Sequence, residues 1–434
     1  MKARDYDKVT VEVKVDGTPC NFSFLQLRQT MFGHHTFVVG GDFCTKDQIF
    51  KRPSSKRMQK LLGCALSIRI KDEEYGLTDF EGVIREVDTG DQGMIMIYGG
   101  SPTIMMADDY SMASFVENDL ASIVKQTIVN VECKIEYKIE LQNNCEIPYA
   151  YRYNESSYDF LNRLLSACGE CFFYDGKKII VGCFDGQDTQ KPVSLSCKHD
   201  LSEMNVSFRL NNNHVEHTET KSLNKFIKNV LSLSKFIYGD YTIFPNRVSA
   251  NCHAFNLLEN SVYGNHYGNL SEKVMFKAKT HTCKVALGKV ISIDTDLALP
   301  GFFNAEKNFR IVEIVHNYDT MGHYENEIVG ISTDADYIPS WNVVLPMAVP
   351  EVAEVVDNQD PEKQGRVKVQ YVWQQQEVLA HGGTSGWMRV HLAGMGSCNT
   401  LKDKHSFSVL EIGEQVMVVY EYGNPNRPFV IRRM

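Results

Sequence analysis

The sequence predicts a mainly β chain with a small α/β insertion and a small closed barrel at its end. Three observations carry this. Valine alternates with polar residues through Lys8-Val9-Thr10-Val11-Glu12-Val13-Lys14-Val15, the period of a half-buried strand. A helix-start signal at Ser156 precedes an apolar helical stripe and a hairpin pattern. After a proline-rich stretch, about five alternating segments fall within roughly 80 residues, as a small barrel requires.

In chain order, the opening valine strand runs into Asp16-Gly17, a tight hairpin signal. Phe22, Phe24, Leu25 and Leu27 resume the pattern, and Phe37 to Val39 ends in Gly40-Gly41. Ala65 to Ile70 leads to Asp79-Phe80-Glu81-Gly82-Val83-Ile84, and such repeated short β segments predict a barrel or sandwich. Met94-Ile95-Met96-Ile97-Tyr98 is apolar throughout, as in a fully buried strand. Near residue 113 the character changes, with Phe115, Leu120, Ile123, Val124 and Ile128 at helical spacing, so a helix is expected over Ser114 to Ile128. Ser156 and Asp159 form a capping-box pattern, with Phe160, Leu161, Leu164, Leu165 and Cys168 on one face and Gly169 as a left-handed end. Cys171-Phe172-Phe173-Tyr174, the turn Asp175-Gly176 and Lys178-Ile179-Ile180-Val181 complete a helix-hairpin unit.

Strands dominate again to about residue 335, with Phe309 to His316 and Tyr324 to Ile331 flanking a turn at Gly322. The stretch 337–350 holds Pro339, Pro346 and Pro350, which stiffen an extended linker. Beyond it, Val352 to Val356 is strand-like and Asp357 to Gly365 is a loop of turn residues. Val367, Val369, Tyr371 and Trp373 share one face, Trp387 to Leu392 alternates, and Val416, Val418, Tyr420 and Tyr422 share another. Gly423 to Pro428 turns the chain into Phe429-Val430-Ile431, which fits a barrel of the oligonucleotide/oligosaccharide-binding (OB) type.

Bulk composition bounds the function. With 434 residues and 43% apolar content, the chain is long enough for about two to four domains. Its 45 basic and 54 acidic residues leave a net charge of −9, against the basic face of a nucleic-acid binder. The densest basic stretch, Lys51-Arg52 through Lys56-Arg57 to Lys60, reads as a solvated face. The start of the chain has no signal-peptide core and no apolar run spans a bilayer, so synthesis in the cytoplasm and exit without a cleaved signal are expected. Twelve irregularly spaced cysteines do not make a disulfide scaffold, and the lone CxxC at Cys168 and Cys171 reads as two structural cysteines.

The last block carries a resemblance. Asn358-Gln359-Asp360-Pro361-Glu362-Lys363-Gln364-Gly365-Arg366-Val367-Lys368-Val369, Gly386-Trp387-Met388-Arg389-Val390, Glu411-Ile412-Gly413-Glu414-Gln415-Val416 and Gly423-Asn424-Pro425-Asn426-Arg427-Pro428-Phe429-Val430-Ile431 stand in order. This block resembles the OB domain of the Vgr-type (VgrG) spike family of type VI secretion systems, relatives of contractile-phage baseplate hubs. Upstream, Glu155-Ser156-Ser157-Tyr158-Asp159-Phe160-Leu161-Asn162-Arg163-Leu164 resembles the family's helix, and His316 to Asn326 its closing strand pair. The resemblance implies two tube-forming, barrel-like hub domains, at 1–125 and 196–336 with shared strands, around an insertion at 126–195. The linker 337–350 and an OB neck at 351–434 follow. It also implies a homotrimer docked on a hexameric tube protein of the Hcp type and touching baseplate proteins. A β-helix needle with a PAAR-type tip and effectors is the family's usual continuation, and the sequence stops at Met434 without it.

No catalytic group, cofactor or metal is called for by this reading. Asp360, Pro361 and Gly365 read as a shaped turn or a trimer contact, and Arg366, Arg389 and Arg427 as subunit bridges or rim caps. Trp373 and Trp387 read as barrel core in preference to a base-stacking platform. Gly413, Gly423 and Pro428 belong to the turn motifs. His34-His35 and His316/His323 lack further ligands at metal spacing. Ser156 lacks a nucleophile elbow, and Gly40-Gly41 and Gly99-Gly100 lack a phosphate-loop ending. Three functions compete: an injection spike or the hub of a phage, tailocin or extracellular injection system; a carrier of a cell-wall hydrolase; and an OB-fold nucleic-acid binder. Membrane contact is expected only transiently, during puncture.

Overall fold

The computed structural model describes residues 9–41, 55–72, 76–89, 94–131, 135–141, 144–168, 170–182, 191–197, 199–208, 216–217, 231–232, 274–294, 308–333, 343, 346–376, 383–391 and 410–433. The expected cap Gly169, basic residues Lys51 and Arg52, and residues 337–342 of the linker lie outside them.

The amino-terminal strands are β1 (Val9–Val15), β2 (Thr18–Cys20), β3 (Phe24–Thr30), β4 (Thr36–Gly41), β5 (Ala65–Asp72), β6 (Leu77–Thr89) and β7 (Ile95–Gly100), with helices α1 (Ser55–Leu61) and α2 (Thr103–Ala107). Asp16 and Gly17 both take positive φ, 46° and 76°, which is the twist a two-residue hairpin needs between Val15 and Thr18. In β7 only one face is closed: Ile95 and Ile97 are buried while Met96 and Tyr98 are half-exposed. The run is apolar on both sides, yet between its partners β4 and β6 it buries only one of them. Gly40 and Gly99 are strand glycines: a Cβ at either would overlap the Phe24 or Phe37 ring.

Next come β8 (Tyr110–Asp119), α3 (Leu120–Val129), β9 (Glu136–Glu140), β10 (Glu146–Ser156), α4 (Ser157–Cys168), β11 (Cys171–Tyr174) and β12 (Lys178–Gly182), of which β9 to β12 lie within the expected insertion, 126–195. The helix expected from Ser114 starts only at Leu120. Residues 110–119 are instead paired antiparallel with β10, from Tyr110↔Ser156 to Asp119↔Glu146. Asp119 is the helix cap, its carboxylate accepting from the Ser122 amide at 3.1 Å. Helical spacing therefore held for Leu120, Ile123, Val124 and Ile128, but Phe115 belongs to the strand.

Then follow β13 (Val193–Ser196), β14 (Leu201–Phe208), β15 (Glu216–His217), β16 (Leu231–Ser232), β17 (Val274–Thr280), β18 (Val290–Asp294), β19 (Asn308–Tyr318) and β20 (Tyr324–Ser332). Strand β19 is the hinge of the topology. It pairs with β20 along its length, with β3 through Glu313–Tyr318, and with β18 through Asn308–Arg310. Strands from both ends of the first 333 residues thereby share a 13-stranded sheet.

The terminal unit has β21 (Glu351–Asp357), β22 (Lys368–Tyr371), a short helix α5 (Val372–Gln376), β23 (Arg389–Val390), β24 (Gln415–Tyr420) and β25 (Pro428–Arg433). The strand order is β22-β21-β24-β25-β23, and a bridge between Val367 and Met388 joins the two outer strands. Its two hydrogen bonds, 3.0 and 2.8 Å, bring the two ends of that strand order together. Val367, Val369, Val416, Val418 and Val430 fill it. Trp373 departs from the expected strand face because the chain turns helical at Val372, and Tyr422 lies in a tight turn, Glu421–Gly423, beyond the strand. The chain is mainly β with an OB-type terminal domain.

Candidate functional site: the junction of two paired strands and the terminal barrel

The helix motif builds a scaffold for the strand before it. Ser156 caps α4: its hydroxyl accepts from the Asp159 amide at 3.0 Å and donates to the Asp159 carboxylate at 2.7 Å. That carboxylate also sits in the first turn, where the helix dipole favours it. Phe160, Leu161 and Leu164 are fully buried, and Phe160 stacks on Phe115 of β8 with ring centres 5.5 Å apart. Beside this stripe, the buried Arg163 guanidinium donates to both Glu155 carboxylate oxygens and, at 3.0 Å, to the Tyr151 carbonyl. A bulge in β10 between Arg152 and Glu155, with Asn154 at φ 43°, turns that carboxylate inward.

What Arg163 fixes is a row of tyrosines. Tyr149, Tyr151 and Tyr153 alternate along β10 and meet the terminal barrel. The Tyr151 ring is fully buried, stacked on Tyr371 and Trp373 with centres 5.7 and 5.4 Å away. The Tyr151 amide donates to Asn426 Oδ1 at 2.9 Å, and the Val349 amide donates to the Tyr153 hydroxyl at 3.2 Å. Gln374 accepts from the Tyr371 amide at 2.9 Å and donates to Ser114 of β8 at 2.8 Å. At the centre lies Glu351, which accepts from Tyr420 at 2.6 Å and Tyr151 at 3.4 Å. Burial pushes its carboxyl above the usual value, opposed by these two hydrogen bonds.

The barrel motif residues serve three separate places. Asp360 organises its loop by accepting from the amides of Glu362, Gln364 and Arg366 at 3.0, 2.7 and 3.2 Å. Arg366 grips the same carboxylate with two bonds, 3.1 and 2.7 Å, and this guanidinium holds the carboxyl well below its usual range. Pro361 opens the turn, and Gly365 supplies φ 74°. At the rim, Glu421 is held between Arg389 and, at 3.2 Å, Arg427. Pro428 begins β25, where its missing N–H is tolerated. Gly423 takes φ 72° and passes close to Met347. Gly413 takes φ 89° in the turn before β24.

Trp387 is a correction. It is half-exposed, with the Lys368 ammonium 5.0 Å from its ring centre, while its neighbour Met388 is the buried one. Strand alternation puts only one of the two inside, and the bridge to Val367 selects Met388. The three barrel arginines all have partners within the chain.

The histidines stand apart from this junction. His316 is buried between the Tyr324 hydroxyl at 2.7 Å and Gln29 at 3.1 Å, and burial lowers its pKa to about 3. His35 is lowered to about 3 by burial as well. His34 meets Thr103 at 2.9 Å and His323 meets Asp319 at 3.2 Å. Among the described residues, no three His, Cys, Asp or Glu side chains gather around a metal-sized space, and no helix is long and apolar enough to cross a membrane.

Sequence reasoning found both motifs but not what joins them. Glu351, Gln374, Asn426 and the three tyrosines were missed, though the alternation Tyr149-Ala150-Tyr151-Arg152-Tyr153 was a readable signal of one aromatic face.

Comparison with known proteins agrees with this architecture. Residues 351–433 match the family model of the type VI secretion system/phage-baseplate injector OB domain. The Escherichia coli c3393 protein, described as a type VI secretion component similar to the T4 bacteriophage tail proteins gp27 and gp5, is similar in structure. It has a TM-score of 0.63 at 14% identity, covering 96% of this chain and 98% of that one. A chain of the half-lidded Francisella PdpA–VgrG complex gives 0.61 at 11% identity, covering 98% and 78%. A Neisseria meningitidis tail protein gives 0.56 at 12%, covering 76% and 100%. No curated protein sequence matches. Residues 351–433 thus match the injector OB-domain family, and the chain as a whole has a fold similar to those of the c3393 protein and of a chain of the PdpA–VgrG complex.

Proposed function

We propose that this chain is the spike or hub of a contractile injection machine of the type VI secretion kind. It acts as a homotrimer that seats on a hexameric Hcp-type tube, meets baseplate proteins, and carries the puncturing tip and effectors into target cells. It is made in the cytoplasm and leaves with the machine. The strands of 1–125 and 196–336 build the ring-facing body, and 351–434 the neck. Its work is mechanical and needs no catalytic group or cofactor.

The observation that carries this reading is the junction. A barrel of the injector family is fastened to the body by stacked rings and hydrogen bonds from two strands, β8 and β10. A part that transmits thrust needs such a rigid joint, whereas an OB domain that reads nucleic acid needs an open basic face. Likeness to a tail protein favours a second reading, the baseplate hub of a phage or tailocin. Deleting the gene should abolish release of the tube protein into the medium, and the full-length chain should restore it. Unchanged release would refute the secretion reading, and tail-like particles lost on deletion would favour the phage one.

A further inference from the structure

We propose that Cys197 and Met204 form a binding site for a soft monovalent cation, copper(I), at the edge of the apolar cluster beneath β13 and β14. The Cys197 thiol donates to the Met204 sulfur, with the two sulfurs 3.9 Å apart.

The two residues come from the turn after β13 and from β14. Cys197 follows Ser196, the last residue of β13, and its turn is closed from both sides. The Asp200 amide donates to the Ser196 carbonyl at 2.9 Å, and the Ser196 amide donates to the Asp200 carboxylate at 2.8 Å. Strand β14 bulges between Ser202 and Asn205, and Glu203 takes φ 50°. Such a bulge re-aims the side chains beside it, here Met204. Both sulfur side chains pack on the cluster that holds Leu195, Leu201 and Ile291, and both stay half-exposed, so an ion can reach them.

The Cys20 and Cys64 thiols donate instead to backbone carbonyls, Thr18 at 3.3 Å and Lys60 at 3.0 Å. A thiol facing a thioether offers two soft, polarisable donors, the set that selects copper(I) over oxygen-seeking ions such as magnesium and calcium. An ion with metal–sulfur bonds of about 2.3 Å to both would hold them at an angle of roughly 116°, close to trigonal. A third position then stays open to water or to the exposed His199, two residues along. Asp294 pairs in register with Ser196, and its exposed carboxylate adds a negative charge that draws a cation. Binding passes the thiol proton to solvent and pairs the thiolate with the ion. The site uses a thioether in place of a third His, Cys, Asp or Glu, and it stands or falls independently of the injector role.

The full-length chain is reduced, freed of reductant under argon, and divided into samples with and without an equimolar copper(I) acetonitrile complex. A short pulse of N-ethylmaleimide, digestion and mass spectrometry then read each thiol. Copper should slow labelling of Cys197 by about tenfold or more, because a coordinated thiolate is no longer a free nucleophile, and leave Cys64 and Cys145 unchanged. Met204→Leu keeps the side-chain volume without the sulfur, and should lose most of that protection while labelling at the wild-type rate without copper. Equal labelling of Cys197 with and without copper in the wild type overturns the proposal. Full protection in Met204→Leu overturns it too, since the ion would then sit on a lone thiol. The wild-type comparison does not depend on any variant folding.

Discussion

Arg163 holds the Glu155 carboxylate and the Tyr151 carbonyl at once in a buried site. Arg163→Ala leaves a buried carboxylate unpaired and should cost about 3–5 kcal/mol in urea denaturation, while Arg163→Lys recovers only part of it. Asp360 behaves differently, being tied to loop amides and Arg366. Its folded pKa is depressed, so its contribution is complete above the unfolded value near 4 and is lost as pH falls through the folded one. Asp360→Asn should therefore lower the melting temperature at pH 7 and converge with wild type in strong acid; an equal gap at every pH would contradict the assignment. Gly423 is constrained twice, since φ 72° disfavours any side chain and a Cβ would sit 2.9 Å from Met347. Gly423→Ala should cost about 1–2 kcal/mol from the backbone conformation alone, read from the same denaturation curve.

At the scale of elements, β10 is the part that turns a helix motif into a joint. Its tyrosines are placed by pairing with β8 on one side and by α4 behind it. Glu351 tests this joint cleanly. Its folded pKa is raised, so what it contributes is complete below the unfolded carboxyl value and fades as pH rises through the folded one. Glu351→Gln keeps an acceptor for Tyr420 without a charge, and should match or exceed wild-type stability at pH 8. Glu351→Leu leaves the Tyr420 hydroxyl without its carboxylate and should lose about 1–3 kcal/mol. A Glu351→Gln variant clearly less stable than wild type at pH 8 would mean that the carboxylate is wanted in its ionised form, and a Leu variant more stable than the Gln one would mean that the acceptor is not needed.

For the whole molecule, the barrel and the insertion share one apolar cluster, in which Tyr151 and Tyr153 lie with Val355, Val369 and Val418. They should therefore gain protection from hydrogen exchange together. A chain ended at residue 350 uncovers Tyr149, Tyr151 and Tyr153 and should associate nonspecifically, seen as early elution in size-exclusion chromatography. Normal elution of a monodisperse truncated chain would show that the joint is dispensable. The 13-stranded sheet ties residues 25–30 to residues 313–318, so the body cannot complete its pairing until most of the chain is made.

Local signals were legible in the sequence. The Val9–Val15 alternation, the Asp16-Gly17 turn, the Ser156/Asp159 cap and the barrel valines are each decided by neighbours a few residues away, and period and turn chemistry suffice to read them. Strand β8 was not legible, since Phe115 obeys a helical spacing that pairing with β10 overrides. Nor was the choice between Trp387 and Met388, which a single bridge to Val367 settles. The sequence by itself determined the mainly β class, the capped helix and the terminal barrel. Only the tertiary structure decided that Arg163, the β10 tyrosines and Glu351 form one joint, because their partners lie up to 275 positions away and no local period records such a meeting.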